Sequence, residues 1–162
     1  TWIGGRGKGV GKGNWREGKT MVMGALTRGG DVRLKVDKRP TKKAIHKFLT
    51  TSVSNEADAL YTDEHSAYVG WVDENTPHEH VVHRNEEWVR GAVHTNGIEG
   101  VWSLLKRSVI GSYHQLSEKH LQSYVDEMAW RFNNRANPFL FRDTLIKLIQ
   151  AETLPYQDLI QE

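Results

Sequence analysis

The stretch from Lys19 to Asp37 leaves the chain little choice of fold. Lys19 to Thr27 is apolar and β-compatible, Arg28-Gly29-Gly30-Asp31 is a turn sequence, and Val32, Leu34 and Val36 then alternate with Arg33, Lys35 and Asp37. Alternation of apolar and polar side chains has the period of a strand, and two such runs about a glycine pair read as a β-hairpin. Its apolar side chains need cover, and the residues that follow supply it. Pro40-Thr41 opens a helix predicted through about Val53, with Ala44, Ile45, Phe48 and Leu49 on one face. Ala57 to Thr62 reads as a short buried strand delivering Asp63 at its C-terminal end, and Glu79 to Arg84 as another strand. Ile98, Val101, Trp102, Leu105 and Val109 predict a helix from Asn96 to about Ile110. A second helix is predicted from Ser117, with Leu121, Tyr124, Val125, Met128 and Phe132 inward, and Asn137-Pro138 interrupts it before a partly helical tail. Hairpin, helix, strand, strand, helix, helix is the order of a mixed α/β layered domain.

Composition narrows the function. A chain of 162 residues with 38% hydrophobic and 26% charged residues is globular and suits one domain. Cysteine is absent, which excludes disulfides and thiolate metal sites. No apolar run approaches the length that spans a bilayer and these residues show no signal-peptide pattern, so the expected location is the cytoplasm. Net charge is only +2, so any polyanionic partner must be read from local patterning. Residues 4–19 supply one such pattern: seven glycines and five Lys/Arg, with Trp15 the one bulky apolar side chain, predict a flexible basic loop.

Three motifs bear on chemistry. Gly13 to Thr20 fits the phosphate-binding pattern G-x-x-x-x-G-K-[ST], which needs a buried strand before it and a helix after it. Here glycine and lysine precede and a strand follows, so the match is read as chance. His78, His80, His83 and His94 are dense enough for zinc, but without cysteine solvated or hydrogen-bonded histidine is the expected state. The third is Asp63 with the helix bearing Asn96, Glu99 and Lys106. Nucleotidyl transfer needs hard oxygen ligands for Mg²⁺ or Mn²⁺, and a carboxylate at a strand end beside one on a helix provides them. Glu99 and Lys106 are seven residues apart, about two helical turns, and so project from one side of the helix. On spacing alone two bland readings stay open: Asn96-x-x-Glu99 as a capping box, and Asp63-Glu64 as a polar turn.

The segments TDEHSAY (62–68), VRGAVHTNGIEGVWSLLKRSVIGSYH (89–114) and SEKHLQSYVDEMAWRFNNR (117–135) resemble the insertion-sequence transposase domain of the ISXO-like family, related to the Merlin transposons. The opening TWIGG and its basic Gly/Lys loop match as well, so the resemblance covers nearly the whole chain in order. It implies an α/β, RNase H-like mixed sheet flanked by helices over residues 1–139, with 140–162 a helical tail. It also implies a metal-dependent enzyme that cleaves insertion-sequence ends and joins the freed 3′-hydroxyl to target DNA. Both steps are in-line displacements at phosphorus under Mg²⁺ or Mn²⁺, in a homo-oligomeric synaptic complex at the prokaryotic nucleoid. Asp63 matches the second aspartate of the family's acidic triad. Its third position falls on Glu99, with Asn96 the alternate; Lys106 matches a lysine placed to meet phosphate, and His94 a histidine that would orient substrate or a carboxylate. Arg6, Lys8, Lys12, Arg16, Lys19 and Arg107 are expected to contact DNA phosphates. The family's first aspartate lies on a strand just before the TWIGG-like stretch. No residue precedes Thr1 here, so the chain is expected to lack that strand and ligand and to be inactive alone. An RNase H-like nuclease or resolvase, and an inactive DNA-binding remnant, are the alternatives.

Overall fold

The hairpin forms as its alternation demands. In the computed structural model, which describes residues 1–4, 19–38, 40–54, 57–63, 65–71, 76–81, 95–114 and 116–157, strands β2 (Thr20–Leu26) and β3 (Val32–Asp37) pair antiparallel, Met21 opposite Asp37 and Leu26 opposite Val32. Gly29 takes the turn at φ +68°, the left-handed region open to glycine. A two-residue strand β1 (Trp2–Ile3) adds to the other edge of β2, and the pairing extends to Thr1, whose carbonyl accepts from Val22 N–H at 2.8 Å.

Both faces of β2 are buried, which explains why its apolar residues fall at both parities. Val22 lies in one core with Val32, Leu34 and Ile3, covered by Val101 and Leu105 of helix α2 (Asn96–Ser108) and Leu121, Val125 and Met128 of helix α3 (Leu121–Asn133). Met23 lies in a second core with Ile45, Phe48 and Leu49 of helix α1 (Lys42–Ser52) and Trp71. Helices thus cover both faces of the three-stranded sheet. α1 begins at its Thr41 cap, whose Oγ1 accepts from Ala44 N–H at 3.1 Å. It ends under Arg33, whose guanidinium donates to the Ser52 carbonyl at 2.9 Å. The free edge of β3 is closed by α3: Asn133 accepts from Val32 N–H (2.7 Å) and donates to Val32 C=O (3.0 Å), while Gln122 accepts from Val36 N–H (2.8 Å).

Strands β4 (Leu60–Asp63) and β5 (His78–Val81) form a separate parallel pair. The strands therefore stand as two small sheets, where one mixed sheet was expected. β5 begins one residue before its predicted start, and residues 82–84 lie outside the described residues. α3 starts at Leu121; Ser117–His120 form a turn instead, because inward apolar spacing begins only at Leu121. α2 runs on into one π-helical stretch, Val109–Tyr113, ending at His114 with φ 57°. Helix α4 (Leu140–Gln150) follows the Asn137-Pro138 break and buries none of its residues. No helix among the described residues is long and apolar enough to cross a membrane.

Candidate active site

Asp63 is the last residue of β4 and is exposed. Its Oδ1 accepts from His65 N–H at 3.1 Å, a side-chain turn that leads the chain away from the strand. Its backbone is anchored from beneath. The buried Thr62 hydroxyl donates to the Asp63 carbonyl at 3.0 Å and lies 2.8 Å from His78 Nε2. A hydroxyl has one proton, so His78 is the donor of the second bond. Burial, reinforced by the charge of His80, holds the His78 pKa below its ordinary value, which keeps the ring neutral at pH 7. Its partner on the other side is Trp71, edge-on at 5.9 Å. Tyr68, five residues past Asp63, has its phenol pushed up to about 12, first by burial and then by the Asp63 charge.

The α2 side of the site starts at Thr95, the residue before the helix. Its hydroxyl caps no backbone N–H and instead donates to Glu99 Oε1 at 2.8 Å. The Asn96–Glu99 capping box does not form, because the helix begins at Asn96 itself and the hydroxyl within reach of Glu99 is that of Thr95. Asn96 and Glu99 are both exposed on the first turn. Lys106 is exposed in the last turn, about 10 Å further along the axis.

Thr1 ties the two sides together. Its amino group donates to Val22 C=O at 2.8 Å and is pulled down to about 6 by burial and by the Lys106 charge, with Asp63 opposing. Two charges expected in the site from sequence, Asp63 and Lys106, therefore act on one buried group at the start of β1. Glu99 shares the helix with Lys106, and no hydrogen bond joins it to Asp63 among the described residues. Asp63 and Glu99 each keep one carboxylate oxygen without a hydrogen-bond partner among the described residues. Their chemistry suits a hard divalent cation. No group of three His, Asp or Glu converges among the described residues, so these residues alone do not complete a metal site.

The other expected residues divide in two. Lys19 adjoins the start of β2 and Arg107 is exposed in the last turn of α2. Arg6, Lys8, Lys12, Arg16 and His94 lie outside the described residues, as does His83. Thr20 opens a strand, not the helix that a phosphate-binding loop requires. Trp102 packs against the first core, and Trp130 lines a cleft of about 410 Å³ between α3 and α4. Sequence reasoning missed Thr95, Tyr68 and the Thr62–His78 pair. The four-residue spacing of Thr95 and Glu99 on a helix was the one available signal; the others depend on tertiary pairing.

No curated protein and no solved structure gives a significant match to the chain. A family model does: the ISXO2-like transposase domain matches residues 1–133, which takes in β1, Asp63, Glu99 and Lys106 and ends with α3. The chain belongs to the ISXO2-like transposase domain family.

Proposed function

We propose that the chain carries the strand-cleaving and strand-joining chemistry of an insertion-sequence transposase, centred on Asp63, Glu99 and Lys106. The observation that carries this reading is the match of the transposase domain model over residues 1–133, which takes in Asp63 at the end of β4 with Glu99 and Lys106 on α2. An exposed carboxylate at a strand end and a cation on the neighbouring helix suit a phosphodiester, whose backbone the lysine holds in place. Asp63 and Glu99 would hold Mg²⁺ or Mn²⁺, with Asn96 the alternate donor to Glu99. Bound there, the metal supplies charge stabilisation to the attacking and leaving oxygens. The chain's own residues do the positioning. His78 and Thr62 fix the Asp63 backbone, Thr95 orients the Glu99 carboxylate, and Lys106 draws in phosphate.

The same reading places the two sheets as halves of one RNase H-like sheet, with β1 beside β4. Support comes from the order β1-β2-β3, the parallel β4–β5 pair, and the family match that spans both. Transposon ends and target DNA are the partners, in a homo-oligomeric complex at the nucleoid. Lys19 and Arg107, with Arg6, Lys8, Lys12 and Arg16, would meet phosphates, and His94 would orient substrate or a carboxylate.

In the protein as its gene encodes it, Asp63→Ala and Glu99→Ala should each abolish metal-dependent cleavage of element ends while DNA binding persists. Full cleavage by Glu99→Ala moves the ligand to Asn96, and full cleavage by Asp63→Ala ends the proposal. Cleavage without joining of the 3′-hydroxyl to target DNA would identify a nuclease.

A further inference from the structure

Residues 33–47 carry seven Lys/Arg and one acid, in a chain whose formal net charge is +2, so the rest of the sequence is net negative. Arg39 lies outside the described residues; the other six sit on β3, on α1 or, for Lys38, between them. Arg33 lies against the C-terminal end of α1 through the Ser52 carbonyl, Lys35 follows on the same side of β3, and Lys38 comes just after the strand's last residue, Asp37. α1 then returns over that face carrying Lys42, Lys43 and Lys47. Lys35, Lys38, Lys42, Lys43 and Lys47 are all exposed, and their ammonium groups make no hydrogen bond or ion pair among the described residues. The one acid of the window, Asp37, has interactions of its own.

Arg33 closes the end of α1, but the lysines of that helix work against it. The first turn of α1 holds two lysines and no acid, the reverse of what a helix N-terminus favours. Lys43 and Lys47 are four residues apart, like charges stacked on one helix face. Both features disfavour the free helix and both favour it beside a polyanion. The face is also continuous with the segment that follows Asp63. His46 Nε2 lies 3.0 Å from the Ala67 carbonyl, and Lys42 Nζ stands 3.7 Å from where a Cβ on Gly70 would sit. A strand lying at Asp63 and continuing past residues 65–70 would run onto α1.

We propose that Lys35, Lys38, Lys42, Lys43 and Lys47 form a second contact surface for the phosphodiester backbone of duplex DNA, separate from Lys106 and from the glycine-rich loop. The proposal rests on the transposase reading for its ligand class but assigns a face that reading does not use. It predicts contact without base readout, so its signature is salt dependence and not sequence preference.

The test titrates the chain against a short fluorescein-labelled duplex of arbitrary sequence, by anisotropy over a salt series. A Lys35→Gln/Lys43→Gln/Lys47→Gln variant is compared with an Arg131→Gln/Arg142→Gln/Lys147→Gln control that removes as many charges from α3 and α4. Removing one lysine–phosphate pairing lowers the slope of log Kobs against log salt by about 0.9, so the first variant should fall by about 2.7 if all three lysines engage. Its affinity near 0.1 M salt should drop about tenfold or more, its thermal midpoint should hold or rise, and the control should barely change. A slope change below about 0.9, or an equal change in the control, overturns the second surface while leaving the DNA reading intact. Failure of the parent chain to bind duplex at low salt overturns both.

Discussion

Gly24 of β2 lies against Trp102 of α2. A Cβ built there would overlap the Trp102 ring, with Cζ2 at 2.9 Å, and would stand 2.8 Å from Leu34 Cδ2. The half-buried indole packs against the first core, so making room for a methyl there disturbs that packing, and Gly24→Ala should cost about 1–3 kcal/mol in urea denaturation. Trimming the ring should relieve it: Gly24→Ala with Trp102→Phe should lose less than the sum of the single changes. Strict additivity would show that Trp102 is not the obstacle. Legibility at this scale follows the range of the interaction. Asp63, Glu99 and Lys106 stood out because a strand end and a two-turn helical spacing are local patterns, and the matching family block gave them roles. Gly24 looked like any strand glycine, since the ring that demands it lies 78 positions away in sequence. Tyr68 and the Thr62–His78 bond were equally hidden, because each needs β4, β5 and the 65–70 segment already assembled.

Edges and ends decide what happens to the elements. β3 would be an open edge, a template for another chain, but Asn133 of α3 takes the N–H and C=O of Val32 and Gln122 takes the N–H of Val36. These two residues are eleven apart, three helical turns, and so face the same way over strand positions four apart. Asn133→Ala leaves the half-buried N–H and C=O of Val32 unpaired and should destabilise the protein by about 1–3 kcal/mol. Asn133→Asp keeps the acceptor but turns an oxygen on the Val32 carbonyl, so it should recover little. Native-state hydrogen exchange at Val32 and Val36 checks the cause: Asn133→Ala should speed Val32 selectively. Uniform acceleration at both amides would mean global loosening and not a broken edge bond. The hairpin was readable because period two and a Gly-Gly turn are written in consecutive residues. β1 was not, since two residues become a strand only through β2. Nor was the split into two sheets, which depends on where strands meet, not on what each contains.

At the scale of the whole molecule, α4 stands outside both cores. Both cores close without it: none of its residues is buried, and neither core cluster includes one. The family match also ends earlier, at residue 133. What α4 displays is apolar surface, with Phe141 83% and Ile149 76% exposed and a cleft of about 410 Å³ left between it and α3. A helix that buries little contributes little to cooperative unfolding, since stability follows the apolar area removed from water. A chain ending at Phe139 should therefore unfold within about 1 kcal/mol of the longer one. Its urea m-value should be nearly unchanged, because m tracks the surface exposed on unfolding. Losing exposed apolar side chains should also raise its solubility. A loss of several kcal/mol, or a broadened two-step transition, would place α4 within the cooperative unit and move the domain boundary past residue 139. Duplex binding adds an independent reading. Neither the Asp63–Lys106 region nor the lysines of β3 and α1 lie on α4, so truncation at residue 139 should leave the salt slope of binding as it was.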